Sequence, residues 1–551
     1  MVLLALALGA AGAVARATMM GDGEPVGIPT PAEEQAARVV APVDSAPVVT
    51  AELPPELVDS APPARLTMVE RPLRAASDSF PRDPAAVRAL ASELGATIAG
   101  STRSGSWGAM VVSLSSGDTL YSLNAGASMQ PASTMKLMTT ALVLDRFGPD
   151  HRFQTEVLRD GKLLSDGTLE GDLIIRGGGD PAFSGRYLGG EPSAAVDLLA
   201  QLVAGAGVRR VTGRIVGDAT AFEQRSVPAG WKESYLHLAY AAPVSALSIN
   251  ENLVWITFEP GAVGGPARVT FDPASSGVPL RNAVRTRAGG GNSVSVVKLP
   301  DGGLEARGWI GTRSPSRRLQ MVIHEPALFT TGAFREALVR AGITVDGGSV
   351  LGSTPPGAEP VTALPSPTLA RLVATMNRES INHFAELLFR NGARGTSATT
   401  IGSAETGDAA LRAFLAEKVM TPANAVVAAD GSGLSLMDRV TPRALTALLA
   451  YAHEASWGSV FHASLPVAGV SELLRDRMRA PPAAGNLHAK TGTTDDVIAL
   501  AGYTTADDGD VLAFTFIYNG RDRWNARAAI DSMGELLSGY SGVAPATVVA
   551  Q

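Results

Sequence analysis

Three short patterns, Ser133-Thr134-Met135-Lys136, Ser380-Ile381-Asn382 and Lys490-Thr491-Gly492, follow one another along this chain, and their order restricts its fold more than any other feature. Each alone is common. As a set they place two serines, two lysines and an asparagine on segments roughly 250 and then roughly 110 positions apart, which one cleft has to gather. A serine hydroxyl attacks a carbonyl only when a neighbouring base removes its proton. Ser133 and Lys136 stand three positions apart, just before an apolar helical pattern of Leu137, Met138, Ala141, Leu142 and Leu144. Both side chains therefore share one helix face near the end where unpaired N–H groups favour negative charge. A helix-capping serine beside a solvated lysine is the ordinary explanation of such a pair alone; the company of the other two patterns displaces it.

Lysine usage sharpens this expectation. Of the 46 Lys and Arg only six are Lys (Lys136, Lys162, Lys232, Lys298, Lys418 and Lys490), and two of these lie inside the patterns. Guanidinium does not give up its proton near neutral pH, whereas a buried ammonium does. Retention of Lys136 fits proton transfer; for Lys490 the argument is weaker, because a purely electrostatic role tolerates Arg. The chain has no cysteine, which removes disulfides, thiol nucleophiles and Cys-ligated zinc together. Its seven histidines show no His-Glu-x-x-His spacing, so no metal or other cofactor is expected, although His383 and His488 neighbour two of the patterns. A net charge of −7 gives no electrostatic case for nucleic acid, and membrane association is expected to be peripheral or nil.

A chain of 551 residues is too long for one ordinary core. Residues 1–17, an apolar run from Val2 to Val14 followed by Ala15-Arg16-Ala17, have the form of a signal peptide and are too short to span a bilayer comfortably. Residues 18–83 form a Pro/Ala-rich linker without sustained period. Residues 84–150 open the catalytic domain: a helix from Ala85 to Leu94, then two apolar runs, Ala109 to Leu114 and Thr119 to Leu123, about a Gly-Asp turn. Short strands such as Gly171 to Arg176, Gly213 to Gly217, Leu253 to Phe258 and Arg268 to Phe271 mark an insertion. Its expected parts are an insertion domain over 151–178 and 251–363, with a further domain nested at 179–250. Residues 364–551 complete the catalytic domain. They are helix-rich up to Lys490, then carry strands from Ile498 to Tyr503 and Val511 to Tyr518 and a closing helix from Trp524 to Leu537. Strands flanked by terminal helices suggest a helix-backed antiparallel sheet.

The three patterns resemble those of penicillin-recognising serine enzymes. The long insertion between the first two is similar to that of the class C low-molecular-mass penicillin-binding proteins, the D-alanyl-D-alanine carboxypeptidase/endopeptidase family (serine peptidase family S13). Gly177-Gly178-Gly179-Asp180-Pro181, Ala242 to Asn252, Met376 to Asn382 and Asp430-Gly431-Ser432-Gly433-Leu434-Ser435 resemble that family as well. The resemblance implies an α/β (α+β) fold. It consists of a penicillin-binding-protein/β-lactamase-like transpeptidase domain, with a helix-backed antiparallel sheet plus a helical lobe, and two nested, mostly β insertion domains. It also implies roles: Ser133 as nucleophile, Lys136 as its base, Ser380 passing a proton to the leaving amine, and Asn382 holding the substrate amide and Lys136. Lys490 reinforces the positive field across the cleft. Thr491, Gly492 and Thr493 form the binding strand for the substrate's terminal carboxylate, and the N–H groups of Ser133 and Thr493 hold the oxyanion. The implied partners are peptidoglycan stem peptides ending in D-Ala-D-Ala, with β-lactam antibiotics as covalent inhibitors, in an exported, periplasmic or cell-envelope protein. Two alternatives stand beside this one. A class A β-lactamase requires a Glu-x-x-Leu-Asn loop; the nearest string, Glu325-Pro326-Ala327-Leu328-Phe329, lacks the Asn and precedes the second pattern, so slow release of penicillin is expected. A non-catalytic peptidoglycan-binding scaffold is opposed by the intact catalytic positions.

Overall fold

Strands Val497–Thr505 and Val511–Asn519 divide their side chains between two cores, and the architecture follows from that division. Val497, Ala499, Ala501, Tyr503, Ala513 and Ile517 face a helical lobe, whereas Ile498, Leu500, Leu512, Phe514 and Phe516 face two terminal helices. Period-2 alternation makes this sorting automatic once both faces are covered. These strands are the middle of a five-stranded antiparallel sheet in the computed structural model, ordered His488–Thr493, Val497–Thr505, Val511–Asn519, Ser106–Ser113, Thr119–Leu123. The structure describes residues 49–50, 83–299, 303–395 and 401–542. The signal-like segment 1–17 lies outside them, as does the linker 18–83 apart from Asp83 and Val49–Thr50, which pairs with Glu359–Pro365.

Helices Pro84–Ser101 and Arg523–Ser538 back the sheet. The first is begun by Asp83, whose carboxylate accepts from Ala85 N at 2.8 Å, with Pro84 in the first turn. It buries Leu90, Leu94 and Ile98 at four-residue spacing beside Ile530, Met533 and Leu537 of the last helix. Each such side chain contributes about 1.5–3 kcal/mol of burial. On the opposite face lies the helical lobe, Met135–Phe147, Leu369–Glu379, Asn382–Arg394, Ala404–Glu417 and Pro442–Glu454. The edge strand His488–Thr493 runs along the junction of lobe and sheet, and the cleft opens there.

In the insertion, Gln154–Leu163, Thr168–Gly177 and Glu359–Pro365 make the antiparallel part of an eight-stranded sheet. Arg210–Val211, Ile215–Asp218, Thr344–Val345 and Ser349–Leu351 extend it with parallel pairs. Helices Ala194–Gly205 and Pro326–Arg340 cover it, and Leu173, Ile175, Leu199, Phe329 and Phe334 share one core. Residues 179–250 thus supply a helix and two strands to this sheet and core. Residues 253–322 form two three-stranded sheets about a small core of Ile256, Phe258, Val284, Ala306 and Ile310. Among the described residues no helix is long and apolar enough to cross a membrane.

Candidate active site

Ser133 stands on a single 3-10 turn, Ala132–Thr134, that runs straight into the helix Met135–Phe147. Ala132 enters that turn at φ +47°, a conformation an L residue rarely adopts and one that persists only under strong packing. The packing comes from Gly433: a Cβ there would stand 1.8 Å from Ala132 O. The first three turns of the following helix are buried all round, and Lys136 is fully buried within them.

Lys136 Nζ has three partners: Ser133 Oγ at 3.0 Å, Asn382 Oδ1 at 2.6 Å and the Ser432 carbonyl at 2.8 Å. Two of these, an amide oxygen and a carbonyl, only accept. A neutral amine has two N–H groups for them and one lone pair left over, and Ser133 is the one partner whose hydroxyl can donate to it. Asn382 is fixed in this orientation because its Nδ2 donates to Tyr240 O at 2.8 Å. Burial lowers the Lys136 ammonium to about 7, opposed in part by the Asp430, Glu386 and Asp438 carboxylates. The free base is therefore well populated near neutrality.

Ser380 closes the helix Leu369–Glu379 in the left-handed conformation, φ +59°, its N–H donating to Met376 O. The next helix starts at Asn382, so one tight turn presents both residues of the second pattern to the cleft. Opposite them, Lys490 is fully buried on the edge strand and donates to Ser380 Oγ at 2.9 Å and Thr491 O at 3.0 Å. Burial, and then the neighbouring Lys136, drive its ammonium well below the usual lysine range. Gly492 permits close approach: a Cβ would lie 2.7 Å from Pro131 O and 3.2 Å from Ala132 Cβ, so only glycine lets the strand touch the turn that carries Ser133. Thr491 is buried and Thr493 exposed on the same strand, and neither hydroxyl engages another group among the described residues. All three patterns thus meet in one place, with two serine–lysine pairs side by side.

Behind Lys136 lies a polar network that joins the Asp430-to-Ser435 loop, which the family resemblance singles out, to Trp231, Glu386 and Arg390, which it does not. The Asp430 carboxylate accepts from Ser432 N at 2.8 Å, Gly433 N at 2.6 Å, Ser435 N at 2.7 Å and Trp231 Nε1 at 2.7 Å. It thereby shapes the loop whose Ser432 carbonyl holds Lys136. Glu386 accepts from Gly431 N at 3.0 Å and from Arg390 Nη1 at 2.7 Å, in an ion pair with almost no exposure. Burial and Asp430 push the Glu386 carboxyl up to about 7, against the pull of Arg390. The sequence does carry a signal for this: Asn382, Glu386 and Arg390 recur every four residues on one helix face. The insertion also reaches the cleft. Besides Tyr240 O, Lys232 pairs with Asp495 at 2.7 Å, and Tyr235 donates to the same carboxylate.

His383 and His488 are buried and take no part in these contacts. His383 Nε2 accepts from Asn252 Nδ2 at 3.1 Å, and burial pushes its imidazole down to about 3. His488 packs at a tilt against His462 with ring centroids 4.5 Å apart and falls to about 4 for the same reason. Both are neutral packing groups. Among the described residues no cluster of His, Asp and Glu suits a metal ion.

Comparison with known proteins gives the family and the fold. The sequence profile of the D-Ala-D-Ala carboxypeptidase 3 (S13) family matches residues 90–540. A D-alanyl-D-alanine carboxypeptidase of Actinomadura sp. is 32% identical over 451 residues, 79% of this chain and 81% of that one. The D-alanyl-D-alanine carboxypeptidase DacB of Haemophilus influenzae is 25% identical over 404 residues, covering 72% and 82%. The crystal structure of penicillin binding protein 4 from Haemophilus influenzae shares the fold, with a TM-score of 0.67 at 23% identity over 81% of this chain and 97% of that one.

Proposed function

The chain belongs to the D-Ala-D-Ala carboxypeptidase 3 (S13) family, and from that premise we propose how its cleft cuts peptidoglycan stem peptides. The observation that carries the proposal is the pair of short contacts, Lys136 Nζ to Ser133 Oγ at 3.0 Å and Lys490 Nζ to Ser380 Oγ at 2.9 Å, in one buried cleft.

Neutral Lys136 takes the Ser133 proton as Oγ attacks the carbonyl carbon between the two D-Ala residues. The carbonyl oxygen becomes an oxyanion held by the N–H groups of Ser133 and Thr493. When the tetrahedral centre collapses the C–N bond breaks, and the departing amine takes up the proton that Lys136 received, relayed through the Ser380 hydroxyl that Lys490 holds, which returns Lys136 to its neutral form. The terminal D-Ala leaves, and the stem peptide stays bound as an ester on Ser133. Water then attacks the ester, Lys136 takes the water's proton, and Ser133 Oγ recovers one as the acid departs. Thr491 and Thr493 offer free hydroxyls to the terminal carboxylate, and Gly492 keeps their strand against the nucleophile. A cross-linked stem peptide in the same position makes the reaction a DD-endopeptidase cleavage.

A β-lactam enters by the same attack, but its leaving group stays tethered to the acyl chain and hinders water. A crystal structure of the Haemophilus influenzae penicillin binding protein 4 complexed with a β-lactam aligns with this chain at a TM-score of 0.62 and 22% identity, which supports β-lactams as ligands of this fold. A substrate in the cell wall requires export, which gives the apolar run from Val2 to Val14 its role as an export signal to the periplasm or cell envelope.

The test is D-alanine release from a soluble peptide ending in D-Ala-D-Ala. Wild-type protein should release one D-Ala per peptide, and Ser133→Ala should release none above background. Equal release by the two would refute the proposal.

A further inference from the structure

Residues 253–322 carry nine Lys and Arg against four Asp and Glu, a local excess of positive charge in a chain whose net charge is −7. The two sheets of this unit use their arginines differently. On the sheet of Arg317–Val322, Leu253–Glu259 and Arg268–Asp272, two of the three arginines are matched: Arg268 pairs with Glu259 at 2.8 Å and Arg318 with Asp272 at 3.0 Å, and only Arg317 has no carboxylate partner among the described residues. The other sheet, Leu280–Arg287, Leu304–Gly311 and Asn292–Lys298, is unbalanced.

Its outward face follows from the strand period. Arg281, Ala283, Arg285 and Arg287 project from the edge strand, while Val284 and Thr286 point inward and are buried. Register places Glu305 beside Arg281, Arg307 beside Ala283, and Trp309 beside Arg285. Ser293 and Ser295 flank Trp309 and Arg307 from the third strand. One carboxylate, Glu305, serves both Arg281 and Arg307, whereas Arg285 and Arg287 have no carboxylate partner among the described residues. The Arg287 guanidinium lies over the Trp309 ring at 5.0 Å from its centroid.

We propose that this face binds the peptidoglycan polymer, its glycan strands together with the stem peptides they carry, so that the insertion holds the enzyme on the polymer whose peptides it cuts. The inference rests on the peptidoglycan-peptidase function proposed above. Arginine forks pair bidentately with carboxylates, which uncleaved stem peptides carry in number. A half-buried indole beside serine hydroxyls suits the flat apolar face of a sugar ring. The unit also offers little to insert into a bilayer: Val263 is the only large apolar side chain of residues 253–322 among the described residues that is prominently exposed, which argues for a polysaccharide over a lipid surface. Binding the polymer at a second point raises the local concentration of stem peptides without altering chemistry in the cleft.

The experiment uses the full chain carrying Ser133→Ala, so that nothing is digested, in co-sedimentation with purified insoluble peptidoglycan at about 0.1 M salt. Adding Arg285→Gln and Arg287→Gln should weaken sedimentation about tenfold, while Arg268→Gln, at an arginine already paired with Glu259 on the other sheet, should change it less than twofold. In the Ser133 background, Arg285→Gln/Arg287→Gln should leave kcat/KM for a soluble D-Ala-D-Ala peptide and the melting temperature unchanged. Unchanged sedimentation of the double variant, or an equal loss with Arg268→Gln, would overturn the proposal. Binding of the parent to phosphatidylglycerol vesicles but not to peptidoglycan would overturn it too. Failure of the catalytic assignment would show separately, as absence of D-alanine release by wild-type protein, and leaves the sedimentation result readable.

Discussion

Replacing Lys136 by Arg tests the role of the buried amine most sharply, because it keeps a cation at the position and removes the base. With its ammonium lowered to about 7 by burial, roughly half of Lys136 is free base at pH 7. A guanidinium of pKa above about 12 leaves about one part in 10⁵ neutral at that pH. The route through this base is then effectively closed, and the observable loss is set by what a general base contributes, about 10²–10⁴-fold. Fluorescent penicillin in stopped flow reads the second-order rate constant for acylation directly, and Lys136→Arg should lower it within that range. Wild-type protein should acylate more slowly as pH falls. The reactive form is the deprotonated one, so the rate should drop about tenfold per unit below pH 7 and level off above it. A melting curve guards against simple misfolding of the larger side chain. Acylation by well-folded Lys136→Arg within tenfold of wild type, or a wild-type rate that is flat from pH 5 to 8, would refute the assignment of Lys136 as base.

Three further outcomes follow from the same contacts. Ser380→Ala removes the hydroxyl that Lys490 holds at 2.9 Å and should lower kcat for D-alanine release about 10²–10⁴-fold, with an unchanged circular dichroism spectrum. Arg390→Met strands the buried Glu386 carboxylate and should destabilise the fold by about 3–5 kcal/mol in urea titration. Because Arg390 holds the Glu386 carboxyl down, its loss raises that pKa further above about 7, so the destabilisation should be larger at pH 8 than at pH 6. Gly433→Ala would drive a Cβ to 1.8 Å from Ala132 O at φ +84°; about 3 kcal/mol or more of stability and most penicillin labelling should be lost together.

The sheet and helices that carry the three patterns were readable in the sequence because their signals are local. A serine and a lysine three apart at a helix start, and apolar strands about Gly-Asp turns, identify their elements without knowledge of the partners. Of the six lysines, Lys136 and Lys490 are the two that the structure buries completely. What the sequence did not reveal depends on long-range pairing. Short strands such as Ile215–Asp218 look alike whether they join a large sheet or a small separate one, and only the parallel pairing with Thr168–Gly177 decides. The contact of Tyr240 O with Asn382 and the convergence of four donors on Asp430 join residues far apart in the chain. No periodicity announces such contacts. The Asn382, Glu386, Arg390 spacing was visible, but charged residues four apart on a helix usually form a solvated face, and burial alone distinguishes this case.

The central claim is that Ser133 forms the acyl-enzyme. It is tested most directly by treating the full chain with benzylpenicillin, digesting it, and locating the adduct by tandem mass spectrometry. The account predicts one penicilloyl group per chain, carried by Ser133 and absent from Ser133→Ala. A stoichiometric adduct on any other residue, or one that persists in Ser133→Ala, would contradict it.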